Sequence, residues 1–314
     1  MNSVCLAVLN RNGVRHLEVL LPTLEVACLR SPIPASVVVL DNQSTEGDVE
    51  WIKGRHSNVL CVIAPKNDYL FSYNWLLGRL TDDIVVLLNN DLSVREDFLP
   101  PLLRHFRAPD VFAVSSTSRD WDDTRFTCGP TRLKSHHGIY EWDYQRADPD
   151  QRLCHTLFCS GGFMAVDRMK FLDLGGFNRL FWPGYAEDLD LSFRAWRKGW
   201  RCIFEPASIV FHRESATWGG SDDGHAARLM LRASLLFQWS SLPRAASWLE
   251  RTAFIWLTAV RKLLRGQTWW PRVWTATWIE WQRRRKGCYA MKTSAEKLNS
   301  ILARIAESVS PPRE

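Results

Sequence analysis

Residues 84–91 read Ile84-Val85-Val86-Leu87-Leu88-Asn89-Asn90-Asp91, an unbroken apolar run that stops on three polar side chains. A short apolar run of this kind suits a strand buried on both faces, as in a parallel sheet covered by helices. Such a strand delivers Asp91 to its carboxyl end, the edge of an open α/β sheet where the connecting loops form a ligand crevice. Similar β-rich runs recur at residues 4–9, 37–40, 59–63, 111–114, 157–166 and 202–211. Amphipathic stretches at 14–30, 49–53 and 71–80 separate the early ones. Pro22 should kink or split the first stretch, because its ring clashes with the carbonyl four residues back. Strands alternating with helices imply βαβ units, so the expected fold is α/β, doubly wound, with a mostly parallel sheet. Residues 115–150, rich in charge and aromatics and without a sustained period, read as a long loop over the crevice.

With 314 residues, 46% hydrophobic and 24% charged, the chain can bury a full core and carry an appendage. Its eight cysteines are scattered, with no CxxC pair, and read as reduced thiols of a cytoplasmic protein rather than a disulfide framework. The first strand begins at Val4, so no signal peptide is expected before it. The uncharged apolar stretch 252–260 falls far short of the roughly 20 residues that span a bilayer.

The formal charge of +6 is unevenly placed: residues 225–290 hold 12 Lys+Arg against 2 Asp+Glu, and 8 of the 16 tryptophans. A boundary is expected near Trp218-Gly219-Gly220-Ser221, dividing a first domain, 1–218, from a Trp/Arg-rich helical C-terminal extension, 219–314. Within the extension Pro271 suits the first turn of a helix that places Trp274, Trp278 and Trp281 on one stripe, followed by Arg283-Arg284-Arg285-Lys286. Trp248, Ile255, Trp256 and Leu263 form a similar stripe beside Arg244, Arg251, Arg261 and Arg265. Indoles flanked by cations suit an anionic membrane surface, and a peripheral place on the cytoplasmic face of the membrane is expected ahead of internal packing. Nucleic acid is not expected as a partner, since no recognised module accompanies the basic stretch.

Taken in chain order, the strand ends resemble the family 2 glycosyltransferases with the GT-A fold. Asn10-Arg11-Asn12-Gly13 follows the first strand where such enzymes carry an Asn-rich turn, and Val38-Val39-Leu40-Asp41-Asn42-Gln43-Ser44-Thr45 is similar to their Val-Val-Asp-Asn-x-Ser-Thr segment. Lys66-Asn67-Asp68-Tyr69 through Asn74 resembles a further Asn-rich stretch, with Asp68-Tyr69 replacing small residues. Asn89-Asn90-Asp91 resembles the metal motif, and Ser160-Gly161-Gly162-Phe163 the strand before the acceptor site. Gly175-Gly176-Phe177, Glu187-Asp188-Leu189-Asp190-Leu191 and Phe211-His212 complete the series, which covers residues 3–217. Among subgroups the likeness is to the rhamnosyltransferase-like enzymes of bacterial surface-polysaccharide assembly.

That resemblance implies inverting transfer of a sugar from a nucleoside diphosphate sugar, dTDP-rhamnose or a similar hexose donor, to a hydroxyl of a saccharide acceptor that is lipid-linked in such pathways. It implies donor contacts from Asn10, Asp41, Asn67, Asn89, Asn90 and Asp91, and acceptor contacts from Gly161, Gly162, Trp182 and Glu187. Asp91, with His212, is the expected holder of Mg²⁺ or Mn²⁺. Where relatives carry Asp-x-Asp this chain has Asn89-Asn90-Asp91, so one anionic ligand is missing and the diphosphate must supply much of the metal binding. Asp188, in the first turn of a helix at 186–198 that Gly199 should end, is the expected general base.

Each assignment has a plainer rival. Asp41 suits an Asx-turn, Glu187 and Asp188 could merely complement a helix dipole, and a single histidine such as His212 is usually surface or core. Asp190 is expected to pair with Arg194 one turn on. A nucleotide-binding oxidoreductase would need a GxGxxG turn that Asn10-Arg11-Asn12-Gly13 lacks. A sugar-1-phosphate nucleotidylyltransferase and a non-catalytic membrane- or carbohydrate-binding protein stay open as alternatives. The first normally carries a Gly-rich basic loop after its first strand, and the second gives no reason for Asp91, Asp188 and His212 to mark one crevice.

Overall fold

A computed structural model describes residues 2–136, 139–144, 152–213, 224–243, 248–284 and 293–309. The chain opens with β1 (Val4–Asn10), α1 (Val14–Leu29), β2 (Ala35–Asp41), α2 (Asp48–Arg55) and β3 (Val59–Ile63). A 3₁₀ turn (Tyr69–Phe71) leads into α3 (Ser72–Leu77), β4 (Ile84–Asn89), β5 (Leu92–Val94) and α4 (Leu99–Leu103). Then come β6 (Val111–Arg119), β7 (Phe126–Cys128), β8 (Thr131–His136), β9 (Ile139–Tyr144), β10 (Cys154–His155) and β11 (Phe163–Asp167). α5 (Arg168–Asp173), α6 (Glu187–Arg197) and β12 (Arg201–His212) close the sheet, and α7 (His225–Ser241), α8 (Trp248–Leu264), α9 (Trp269–Arg284) and α10 (Ala295–Ala306) follow.

The large sheet runs β10-β12-β6-β11-β4-β1-β2-β3, with β5 on β12 and β7 on β6. From β12 to β3 every strand points the same way except β11, which is antiparallel to both neighbours. β1, β2, β4 and the first half of β6, residues 111–114, are apolar on both faces because each face is covered. One core holds Val4, Leu6, Leu20, Leu24, Val86 and Leu88 under α1, and the other holds Cys5, Leu87, Phe171, Phe193 and Trp196 under α5 and α6. Burial of a side chain of this size stabilises the fold by about 1.5–3 kcal/mol. Tyr73 of α3 is fully buried, with its hydroxyl 2.9 Å from the carbonyl oxygens of both Ala7 and Leu88, so it ties β1 to β4 just below their carboxyl ends. No disulfide joins the seven cysteines among the described residues.

Three expectations are corrected. α1 runs unbroken from Val14 to Leu29 through Pro22, because Leu17, Leu20, Leu21 and Leu24 are all buried against the sheet and hold the turns on either side. Only residues 163–166 of the expected strand 157–166 fall in β11, and the residues before them turn through Gly161-Gly162. The expected long loop 115–150 is largely strand: β6 runs on to Arg119, and β7 and the β8–β9 hairpin follow. Residues 115–118 showed no apolar alternation because their buried side chains are hydroxyls that pair with each other, Ser116 with Ser208 at 3.0 Å and Ser118 with Thr127 at 2.6 Å. Residues 137–138 and 145–150 of that stretch lie outside the described residues.

The boundary expected near Trp218 also lies outside the described residues. Beyond it the helices share the core under α6, where Leu236, Phe237, Trp281, Leu298 and Ile301 pack with Phe193 and Trp196. The indole stripe of α9 packs largely against α7: Trp274 and Trp278 stack on each other and meet Trp239 of α7 edge-on at 5.9 and 5.2 Å, and Trp281 is buried, while Trp278 stays 38% exposed. The tryptophans of α9 therefore serve chiefly a helix–helix seam rather than an outer surface. No helix among the described residues is long and apolar enough to cross a membrane.

Candidate active site

The register of the parallel strands sets three side chains along one edge. Asn10 lies opposite Asp41, and Asn89 opposite Leu9. Asn10 is the hub of this edge: its amide nitrogen donates to Asp48 Oδ2 at 2.9 Å, and its oxygen accepts from Asn90 Nδ2 at 2.8 Å. Gly13 donates its N–H to Asp48 Oδ2 at 2.7 Å, and a Cβ there would lie 2.1 Å from Asn90 Nδ2. Only glycine fits, so the turn after β1 is built around the side chains that leave β4. Asp41 accepts from the Ser44 backbone N–H at 2.9 Å and from the Ser44 hydroxyl, which is the Asx-type turn weighed against donor binding. Asn67 sits in the loop after β3, 3.4 Å from the Tyr69 backbone nitrogen. Asn74 is committed elsewhere, exchanging 2.8 Å hydrogen bonds with both backbone groups of Phe177.

Asp91 and His212, some 120 positions apart in the chain, are brought together by the short strand β5. Its antiparallel pairing with the end of β12 sets His212 opposite Leu92. His212 Nε2 then lies 3.4 Å from Asp91 Oδ2, and the Arg213 backbone N–H donates to the Asp91 carbonyl at 3.2 Å. Asp91 is 5% exposed, and its Oδ1 is buried with no hydrogen-bond partner. A buried carboxylate oxygen left unpaired beside an imidazole nitrogen is costly on its own and fits a divalent cation. Among the described residues no group of three or more His, Cys, Asp or Glu side chains gathers to hold a metal. Asp91 and His212 thus offer two ligands, and phosphate oxygens and water would complete the shell.

Asp188 and Asn89 meet at the Gly161-Gly162 turn. Gly161 donates its N–H to Asp188 Oδ2 at 3.1 Å, while the carbonyl of Gly162 accepts from the Asn89 N–H at 2.8 Å. A Cβ on Gly162 would lie 2.7 Å from Asn89 Nδ2 and 3.0 Å from its Cγ, so a bare backbone is required there too. Gly161 is under no such pressure, since its Cβ would make ordinary contacts of 3.6 Å with Asp188 and Leu70.

Asp188 is half-buried in the first turn of α6, and its Oδ1 also accepts from the Leu189 N–H at 2.8 Å. Burial raises its pKa above the ordinary carboxylate value, against the pull of the two N–H donors. Glu187 is more fully buried, its Oε2 has no partner, and burial followed by the charge of Asp188 pushes its pKa up to about 8. Glu187 therefore keeps its proton at neutral pH, while the two N–H donors to Asp188 favour its ionised form. Ala186 immediately precedes the helix at φ +66°, a left-handed conformation that costs a residue with a Cβ about 1 kcal/mol. α6 ends as expected at Gly199 (φ +89°), and Asp190 accepts from Arg194 Nε at 2.8 Å.

Trp182 is 41% exposed and meets Tyr69 edge-on, with ring centroids 6.1 Å apart. Leu70, next to Tyr69, packs at the Gly161 turn beside Asp188, which ties the loop carrying Tyr69 to that turn. Asp68 and Arg179 pair through both guanidinium nitrogens and tie the two ring-bearing loops together. That pair accounts for the acidic residue where the motif usually has a small one. Sequence reasoning missed Asp48, which sits in the first turn of α2, because its link to Asn10 exists only across the sheet edge.

A sequence profile described as Glycosyl transferase family 2 matches residues 3–175. The chain is 26% identical over 240 residues to N-acetylglucosaminyl-diphospho-decaprenol L-rhamnosyltransferase of Mycobacterium tuberculosis, covering 68% of this chain and 76% of that protein. It is similar in fold to GalNAc-T7 solved with UDP, GalNAc and Mn²⁺, with a TM-score of 0.57 at 15% identity over 76% of this chain and 48% of that one. It is also similar to the mannosyltransferase PcManGT of Pyrobaculum calidifontis, in complex with GDP-Man and Mn²⁺, with a TM-score of 0.55 at 18% identity over 96% of this chain and 78% of that one. These likenesses show a GT-A fold with helices added after the sheet.

Proposed function

We propose, from the premise that the chain belongs to glycosyl transferase family 2 and is a glycosyltransferase, that it transfers a hexose with inversion from a nucleoside diphosphate sugar to a saccharide hydroxyl. The observation that carries this reading is the Gly161-Gly162 turn, whose two consecutive residues bond Asp188 on one side and Asn89, at the metal motif, on the other. A base and a diphosphate site so joined suit attack from one face of the sugar as the diphosphate departs from the other.

Asp188 is assigned as the base that takes the proton of the acceptor hydroxyl, and its two N–H donors hold the carboxylate in place for that transfer. Glu187, protonated at neutral pH, donates a hydrogen bond to the bound sugar and adds no second charge to the crevice. Asn10 and Asn90 position the turn that carries Asp91, and Asn89, Asp41 and Asn67 line the donor side. Asp91 and His212 would hold Mg²⁺ or Mn²⁺, which when bound neutralises charge on the leaving diphosphate. A nucleoside diphosphate so stabilised departs without a separate proton donor. Trp182 offers an aromatic face to the acceptor ring.

The relative's acceptor, a diphospho-decaprenol, supports a lipid-linked acceptor here, and dTDP-rhamnose is the first donor to test. The test is a panel of nucleotide sugars scored for metal-dependent release of free nucleoside diphosphate. Release from one donor, stimulated by a saccharide acceptor, is expected; its absence with every donor and both metals would remove the assignment.

A peripheral membrane site belongs to the same reading, and α8 supports it. Trp256, Leu257, Val260, Leu263 and Leu264 are all exposed, Leu264 to 83%. At roughly 100° per residue they occupy one arc of the helix. Ile255, Thr258 and Lys262 fall on the opposite arc and line a cavity of about 280 Å³ against α7 and α9. An apolar arc turned outward beside Arg261 and Arg265 suits the headgroup region of an anionic bilayer. Flotation with vesicles containing phosphatidylglycerol should carry the wild type and leave Trp256→Glu/Leu264→Glu behind. Equal flotation of both would dismiss the arc as the contact.

A further inference from the structure

Outside the crevice the structure holds a second cleft, about 750 Å³ in volume, between the loop 174–180, α6 and the carboxyl end of α9. Arg179, Arg194, Arg283 and Arg284 line it, and no carboxylate-bearing residue is among its lining. Two of these cations build the walls: Arg194 is held by Asp190 and by the carbonyls of Leu174 and Gly176, and Arg179 by Asp68. The other two face the open side. Arg284 is half-exposed with a 3.3 Å contact to Glu280, and Arg283 makes no ion pair among the described residues. Glu280 is shared with Arg232, whose guanidinium it engages at 2.6 and 2.8 Å, so it neutralises neither cation of α9 fully.

The cleft adjoins the acceptor side of the crevice. Arg179 lies three residues before Trp182 and is bonded to the loop that carries Tyr69, and Arg194 lies six residues after Asp188 on α6, a rise of about 9 Å at 1.5 Å per residue. The Arg283 and Arg284 helix packs on α8, whose apolar arc faces outward. A ligand whose sugar hydroxyl reaches Asp188 would thus place its next group toward the arginines and its tail toward the surface that α8 offers to lipid.

We propose that this cleft binds the diphosphate of a lipid-linked acceptor, with Arg283 and Arg284 as its open-side cations and Arg179 and Arg194 as its fixed wall. Planar guanidinium groups match phosphate oxygens two at a time, and a cleft lined by four of them selects a dianion over a neutral sugar. The proposal rests on the transferase reading for its acceptor but concerns a different surface, so the two can fail separately. The α9 site also has an ordinary reading, since cations at a helix carboxyl end complement its dipole, and the experiment must move something that this role would not.

The probe is geranyl diphosphate, titrated into the full chain in EDTA so that the metal site does not contribute, with geraniol and inorganic diphosphate beside it. Geranyl diphosphate should bind, geraniol should not, and Arg283→Gln/Arg284→Gln should weaken the binding at least tenfold at an unchanged melting temperature. Unchanged binding in the variant overturns the proposal, as does inorganic diphosphate binding more tightly than the prenyl ester, which would assign the cleft to free phosphate. In transfer assays the same variant should raise KM for a diphosphate-linked acceptor about tenfold with kcat kept, and leave KM for the same saccharide on a neutral alkyl chain alone. An equal loss on both acceptors would mark a structural role and overturn it. Absence of transfer from every donor would count against the transferase reading only, since the titration decides the cleft by itself.

Discussion

Asp188→Asn should lower kcat for transfer by about 10³-fold, within the range expected for loss of a positioned base, while the dissociation constant for the nucleotide sugar stays within about twofold. The substitution keeps an oxygen for the Leu189 N–H and removes only the charge and the basicity. The cost to the fold is confined to the bond from Gly161, about 1 kcal/mol. The pH dependence has a definite sign. Because burial raises the pKa of Asp188, the acid limb of kcat/KM should lie above the pH near 4 where an ordinary aspartate titrates, and activity should rise with pH as the carboxylate ionises. Below pH about 8 Glu187 keeps its proton, so Glu187→Gln should leave activity on that acid limb largely intact, whereas Asp188→Asn should remove the limb altogether. Stopped-assay kinetics across pH 4–9 with donor binding by calorimetry checks both statements. Turnover retained in Asp188→Asn would take that residue out of the chemistry.

Asp91→Ala should abolish stimulation by Mn²⁺ and cost 10²-fold or more in kcat/KM, on the order of 3 kcal/mol. Its effect should exceed that of His212→Ala, because Asp91 is the only carboxylate of the Asn89-Asn90-Asp91 turn and its Oδ1 has no other partner to satisfy it. Asn89→Asp supplies the carboxylate that the motif lacks, and should lower the Mn²⁺ concentration for half-maximal rate. Metal titration of the three variants at saturating donor reads these effects. A wild-type metal response in Asp91→Ala would move the metal elsewhere.

The features that sequence made legible are those in which one segment carries its own signal. β4 announced itself through five consecutive buried aliphatic residues, and α6 through its apolar face, the Asp190–Arg194 pair one turn apart and the Gly199 stop. What stayed hidden depended on contacts between distant segments. The approach of His212 to Asp91 needs a three-residue strand, too short to show any period, to pair antiparallel with the far end of β12. Asp48 carried no local signal because its bonds to Gly13 and Asn10 cross the sheet edge. The β6–β9 region lacked alternation because buried Ser and Thr hydroxyls, satisfied by one another, stand where apolar side chains usually do. The helices at the carboxyl end misled in another way. An amphipathic pattern does not say which way its apolar face points, and here α9 packs Trp274 and Trp281 inward while α8 turns its leucines and Trp256 outward.

Crystals grown with a nucleoside diphosphate and Mn²⁺, measured at the manganese absorption edge, test the central geometry most directly. An anomalous peak within about 2.0–2.6 Å of Asp91 and bridged to the diphosphate is predicted, with Asp188 facing the vacated sugar position across the Gly161-Gly162 turn. A nucleotide bound with its diphosphate away from Asp91, or a manganese peak at another group of side chains, would contradict it.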